Sequence, residues 1–119
     1  MQSGKIRVSA NPQYLQSFAT YYTEAQALFV VGRKHPEYLP DIWDKVHEVY
    51  RMILPYLEGE SLEKKKEQHS DLRQRMDRFR VMSHGDKRNN FLKYYYQIDT
   101  FFSELTVKAV EIGFFPNKG

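Results

Sequence analysis

Apolar residues recur every three or four positions along most of the chain, which is the spacing of amphipathic helices. The spacing is most regular over positions 91–112, after which Gly113 and Pro116 end the segment. Phe114 and Phe115 lie beyond this end and are expected either to fold back or to bind something else. The pattern predicts a long fourth helix with these core-facing residues: Phe91, Tyr95, Ile98, Phe102, Leu105, Ala109 and Ile112.

The first helix is predicted to run from Asn11 to about Val31. Asn11 can accept hydrogen bonds from the free amides of a first turn, and Pro12 fits the first helical position without losing a needed donor. Gly32 is expected to end this helix, because glycine suits the conformation found after many helix C-termini. The core-facing residues of helix one are Leu15, Phe18, Tyr22, Ala25 and Phe29.

Two further helices are predicted between these segments. Helix two starts at Pro40, bends on its solvent side at Pro55 and ends at Gly59; its inner stripe is Ile42, Val46, Val49, Ile53 and Leu57. Helix three covers positions 61–83 with a thinner stripe of Leu62, His69, Leu72, Met76 and Phe79, so its first half is expected to project or to stay solvated. Gly85 is expected to close helix three and Asp86 to cap helix four, and so short a connection predicts an antiparallel hairpin.

These segments predict an all-α fold, an antiparallel up-down-up-down four-helix bundle with a long C-terminal helical hairpin. A chain of 119 residues suits one domain. We therefore predict an extended N-terminal arm over residues 1–10, a single helical-bundle domain over 11–113 and a C-terminal tail over 114–119.

The composition excludes several kinds of protein. The chain has no Cys, which excludes disulfide bridges and thiolate metal sites, and its aromatic fraction of 15% argues against intrinsic disorder. The longest apolar run, positions 27–31, is far too short to span a bilayer, and the first residues lack the apolar centre of a signal peptide. We expect a soluble, cytoplasmic protein that makes no membrane contact.

The net charge of +3 is unevenly distributed, because positions 64–93 hold ten Lys or Arg against four Asp or Glu. On helix three, basic residues seven positions apart fall along one flank, and two more follow near its end. This basic strip, a candidate site for anions or nucleic acid, comprises Lys66, Arg73, Arg80, Lys87 and Arg88. The alternative is a solvated face that pairs with the acidic residues predicted on helix two, Asp41, Asp44, Glu48, Glu58 and Glu60.

Helix four carries a second apolar line, away from its core-facing stripe, which we call the outer line: Leu92, Tyr96, Val107 and Val110. Two interpretations are open. Helix four is the central helix, wrapped by the others on both sides, or the outer line is a surface for self-association or for a protein partner. The same periodicity places Tyr94 and Tyr95 towards the core and leaves Tyr96 accessible.

Residues for metal or cofactor chemistry are sparse. Helical bundles can hold metals through Glu-x-x-His pairs, and the nearest match here is Asp44 with His47. A single pair of this kind predicts no metal site, and no cofactor or small-molecule substrate is predicted. His69 is alone on an apolar stripe and is expected to be a core histidine or a helix contact. No Ser-His-Asp or Cys-His arrangement falls on one face.

One short motif suggests an enzyme. Arg78 and His84 have an Arg-x5-His spacing that resembles the Arg-x4-6-His motif of HEPN-type ribonucleases, although Phe79 stands where a polar residue usually follows the Arg. The resemblance implies an RNA-cleaving pair at a dimer interface, with His84 as acid or base and Arg78 stabilising the phosphate.

The sequence as a whole favours a non-enzymatic helical interaction or assembly module that self-associates through the outer line of helix four. A homo-oligomer or a protein partner is therefore expected. Nucleic-acid binding by the basic strip is the first alternative, and a HEPN-like ribonuclease that uses Arg78 and His84 is the second.

Overall fold

The computed structural model describes residues 11–115, and this part of the chain contains four α-helices and no strand. They are α1 (Pro12–Gly32), α2 (Leu39–Ile53), α3 (Gly59–Arg80) and α4 (His84–Ile112), with short 3-10 turns at Pro36–Tyr38 and Leu54–Tyr56. The all-α prediction is confirmed. The predicted N-terminal arm and residues 116–119 of the predicted tail lie outside the described residues. Within residues 11–115, no helix combines the length and apolar character that crossing a bilayer requires.

Consecutive helices touch through their opposite ends. Tyr14, in the first turn of α1, donates a hydrogen bond of 2.6 Å to the carbonyl of Met52 near the end of α2. Phe79, near the end of α3, packs edge-on against Tyr94 near the start of α4, with ring centroids 5.9 Å apart. These contacts join the start of α1 to the end of α2, and the end of α3 to the first half of α4.

The predicted stripes supply most of the core. On α2, all four helical stripe residues are fully buried, and α4 buries its whole predicted stripe except Ile112, which is partly exposed. Tyr94 and Phe101 of α4 are buried as well, because α4 contacts both α1 and α3. The core-facing predictions for Tyr94 and Tyr95 are therefore confirmed.

The chain folds back immediately after α4. Gly113 has a positive φ of 104°, and the amides of Gly113 and Phe114 both donate to the carbonyl of Ala109. Only glycine adopts this conformation readily, so Gly113 ends the helix as predicted. The turn directs Phe114 into the core, where its ring centroid lies 4.4 Å from that of Phe18.

Gly32 has a different role from the predicted one. It is the last residue of α1, it is buried, and the following Arg33 keeps a right-handed helical conformation. A Cβ atom at position 32 would lie only 2.8 Å from Cδ1 of Ile42 and 3.2 Å from Cβ of Tyr38. Glycine is needed here because α1 and the start of α2 approach closely, not because the helix must stop.

The connection between α3 and α4 also differs from the prediction. Gly85 lies inside the first turn of α4 and does not close α3, which ends at Arg80. The N-cap is Ser83, whose Oγ accepts a hydrogen bond of 3.1 Å from the Asp86 amide, so Asp86 is not the cap. Ser83 satisfies an amide that would otherwise lack a partner in the first turn, and Asp86 adds negative charge at the positive end of the helix.

The first half of α3 does not project into solvent, contrary to the prediction. Lys65 is only 4% exposed and donates to Glu104 of α4 at 2.6 Å and to Gln68 at 2.9 Å. Gln68 in turn donates to Glu104 at 3.1 Å. The hydrogen bond from Lys65 lowers the pKa of Glu104, which keeps the carboxylate charged beside the buried ammonium. An ion pair, instead of an apolar stripe, fastens this half of α3 to α4.

Candidate interaction surface

All four residues of the outer line are exposed. Leu92, Tyr96, Val107 and Val110 each leave between 48% and 61% of their surface accessible. With about 100° of rotation per residue, they lie within roughly 60° of one another around α4. Inside the described part of the chain, the outer line is therefore not wrapped by the other helices.

The opposite face of α4 explains why the outer line stays outside. Tyr95 donates a hydrogen bond of 2.7 Å to the carbonyl of Phe29 on α1, and its ring packs against Phe29 and Phe91. Burial raises the pKa of Tyr95, so its hydroxyl stays protonated and able to donate at neutral pH. With Tyr95 fixed inward, the next residue, Tyr96, points out of the bundle.

A cavity of about 360 Å³ borders the outer line on the side of α3. Tyr96 lines it together with the buried apolar residues Leu72 and Phe101. The rest of its wall is polar and consists of Gln68, Asp71, Arg75, Gln97 and Thr100. A second cavity on this side, of about 400 Å³, includes Val107 and Ser61 in its lining.

A groove of about 400 Å³ lies between α1 and α4, and its exposed or partly exposed α4 lining is polar: Asp99, Ser103 and Thr106. Its base contains the buried rings of Phe29 and Phe102, and its rim contains Val30, which is 78% exposed. Sequence reasoning did not single out Val30, because it lies one residue outside the periodic stripe of α1. Val30 therefore adds an exposed apolar residue on α1, across the groove from α4.

Two buried oxygen atoms on the α3 side have no hydrogen-bond partner among the described residues. They are Oε1 of Gln97 and Oγ of Ser61, and each residue lines one of the cavities that border the outer line there. Buried acceptors are usually paired, because desolvation without a hydrogen bond is costly.

The basic strip on α3 is partly neutralised within the chain. The guanidinium of Arg80 lies 3.4 Å from Asp44 of α2 and 3.7 Å from Asp77. Lys66 lies 4.0 Å from Glu63, and Arg73 is exposed. Pairing with an acidic residue of α2, the alternative considered from the sequence, thus occurs at Arg80.

The remaining two strip residues lie on α4. The ammonium of Lys87 sits 5.8 Å from the ring centroid of Phe79, and Lys87 and Arg88 line a cavity of about 300 Å³ with His84. Arg78 is exposed in the last turn of α3 and is not among the residues that line this cavity. The cavity therefore does not hold Arg78 and His84 together.

His69 contacts another helix through a second histidine. Its Nε2 lies 2.8 Å from Nδ1 of His47 on α2, and its ring stacks on Tyr50 with centroids 4.0 Å apart. His47 is thus occupied by His69, while Asp44 pairs with Arg80. Among residues 11–115, no group of three or more His, Asp or Glu side chains could hold a metal ion.

The outer line is the strongest candidate for a functional surface, because exposed apolar side chains and adjoining cavities coincide there. Comparisons of the chain with protein-family models, with curated proteins and with solved structures find no significant match. A functional proposal therefore rests on the geometry of α4 and its neighbours.

Proposed function

We propose that this protein is a non-enzymatic assembly module that self-associates through the outer line of α4. The observation that carries the proposal is the exposure of four large apolar side chains along one face of the longest helix. Contiguous apolar patches on a protein surface mark interaction sites more often than isolated exposed residues do. A second copy of the chain is the simplest partner, because it presents the same apolar face.

The surroundings of the outer line support an interface. Tyr96 stands beside a cavity on the α3 side, and Val30 forms the rim of the groove on the α1 side. Tyr residues are common at interface centres, because the ring gives a large contact area at a small cost in conformational entropy. Flanking cavities offer space for side chains of the second copy.

The alternatives have less support. Arg80 of the basic strip already pairs with two carboxylates, which reduces the positive potential available to a phosphate backbone. Arg78 does not line the cavity that His84, Lys87 and Arg88 share, and Phe79, which follows Arg78, is buried in the core. Neither arrangement aligns exposed apolar side chains along one helix as the outer line does.

Substitution of Val107 with Glu tests the proposal. A charge at the centre of an apolar interface loses hydration without gaining a partner, so V107E is expected to weaken self-association at least tenfold. Sedimentation velocity over a range of protein concentrations measures the change. Circular dichroism establishes that the exposed substitution leaves the helices intact.

Val81→Glu is the matched control. Val81 is 84% exposed at the end of α3, outside the outer line, and the substitution adds the same charge. The proposal predicts that V81E associates like the unmodified chain. Equal effects of V81E and V107E, or no effect of V107E on an oligomeric chain, would remove the outer line as the interface.

A further inference from the structure

The apolar residues of the outer line are arranged symmetrically along α4. The midpoint between Leu92 and Val110 is residue 101, and the midpoint between Tyr96 and Val107 lies between residues 101 and 102. Two copies of α4 can therefore cross in opposite directions and still bring apolar residues together. A parallel pair would also match them, so the apolar pattern alone does not choose the direction.

The charges beside the outer line favour one direction of pairing. Lys93 directly follows Leu92 and Glu111 directly follows Val110, so both lie on the same flank of the line, and both are exposed. In a parallel two-fold pair, Lys93 and Glu111 of one copy would lie on the opposite side of the seam from the same residues of the other copy, so neither charge would gain an opposite partner. In an antiparallel pair, each Lys93 faces Glu111 of the second copy, and like charges are separated.

The two ends of α4 favour the same direction. Arg88 lies in the second turn of α4, on the side of Leu92, and the carbonyl groups of the last turn carry a partial negative charge. An antiparallel pair places the basic start of one helix near the negative end of the other. A parallel pair would instead place the two Arg88 side chains at the same end.

The middle of the outer line can accommodate a close crossing. Between Tyr96 and Val107, the exposed residues nearest the line include Thr100 and Ser103, whose side chains are small. Small residues at the crossing point let two helices approach, while the longer side chains on either side enter the flanking cavities.

We infer that two copies of this chain pair through α4 in an antiparallel, two-fold arrangement centred near residue 101. Leu92 then contacts Val110 of the second copy, Tyr96 contacts Val107, and Lys93 pairs with Glu111. The inference rests on the proposed self-association and adds its direction and register. Exposed ion pairs of this kind contribute little to affinity but discriminate between orientations.

Disulfide trapping tests the direction, and the chain has no native Cys to interfere. Two variants, Leu92→Cys and Val110→Cys, are each oxidised alone and then as a mixture in which one carries a mass tag. A disulfide requires Cα atoms less than about 7 Å apart. The inference predicts a cross-link between L92C and V110C in the mixture and little cross-linking of L92C with itself. Val81→Cys mixed with L92C gives the background.

The outcomes separate the inference from the proposed function. If the unmodified chain is a dimer and L92C cross-links with itself instead, the pair is parallel and the inference is wrong, while self-association stands. A dimer whose mixed variants cross-link no more than the V81C background associates through another face and overturns both. A chain that stays monomeric at every concentration also overturns both.

Charge reversal provides a second readout that needs no cysteine. Lys93→Glu and Glu111→Lys are each expected to weaken the dimer severalfold, because each creates two like-charged contacts in the antiparallel register. The double variant K93E/E111K restores both attractive contacts and should return to the original affinity. If the single variants leave the dimer unchanged, the register is wrong.

Discussion

The Nε2 atom of His69 lies 2.8 Å from Nδ1 of His47, in a contact between α3 and α2. One imidazole must donate its N–H to the unprotonated nitrogen of the other, so the pair requires at least one neutral ring at this contact. Burial, and then the nearby charges of His47 and Arg73, lower the pKa of His69 from 6.5 to about 4. The folded protein therefore keeps His69 neutral.

This relationship makes the stability depend on pH. The unfolded chain binds a proton at His69 more tightly than the folded chain does. The stabilisation of the folded protein by neutral His69 is therefore fully present above pH 6.5 and is lost as the pH falls towards 4. The lowered pKa corresponds to a loss of roughly 3 kcal/mol in the free energy of unfolding across this window. Urea denaturation at a series of pH values measures it.

The pH dependence should disappear in large part in His69→Gln. His84→Gln is the control, because His84 is exposed at the start of α4 and its removal should leave the dependence intact. An H69Q variant that loses as much stability between pH 6.5 and 4 as the unmodified chain would contradict this explanation.

The ion pair between Lys65 and Glu104 should respond unequally to loss of either partner. Glu104→Ala leaves a buried ammonium with Gln68 as its remaining partner in this network, and we expect a loss of about 2 kcal/mol in the free energy of unfolding. Lys65→Met retains the apolar stem and leaves a partly exposed carboxylate, so it should cost less than about 1 kcal/mol. Thermal or urea denaturation distinguishes the two.

Glu63→Ala is the control for this comparison, since Glu63 and its partner Lys66 are both exposed and 4.0 Å apart. Its effect should stay within about 0.5 kcal/mol. If E104A and K65M destabilise the protein equally, the difference in burial between the ammonium and the carboxylate does not determine the cost of losing a partner.

Gly32→Ala should destabilise the protein by about 1–2 kcal/mol even though alanine favours helices, because the new Cβ would press on Ile42 and Tyr38. Shortening the neighbour in the double variant G32A/I42V should recover part of the loss. Gly85→Ala is the matched control: it adds the same methyl group to a helix where nothing lies within 4 Å. It should be neutral or stabilising by up to about 1 kcal/mol.

Periodicity alone could predict much of α4. The three-four spacing separates Tyr95, which is buried, from Tyr96, which is exposed, and it identifies the outer line. Periodicity could not identify what covers that line, because an apolar side chain is compatible with either a core or an interface. It also could not identify Val30, whose relevance depends on the neighbouring helix α4.

The features that the sequence did not predict depend on contacts between helices. Lys65 has the character of a surface residue until Glu104 is placed opposite it by the antiparallel packing of α3 and α4. Gly32 has the character of a helix terminator, and only the approach of Ile42 gives its actual role. Ser83 and Asp86 are both good capping residues, so the choice between them depended on a shift of three residues in the helix boundary.

The central claim is that the chain associates with itself without a further partner, and its native mass tests this most directly. Sedimentation equilibrium of the unmodified chain, over a range of concentrations and with or without a short RNA, gives that mass. Self-association through α4 predicts a rise from the 14.2 kDa of one chain to twice that value as concentration increases, with no effect of RNA at physiological salt. A mass that stays at 14.2 kDa at every concentration, or that rises only when RNA is added, would contradict it.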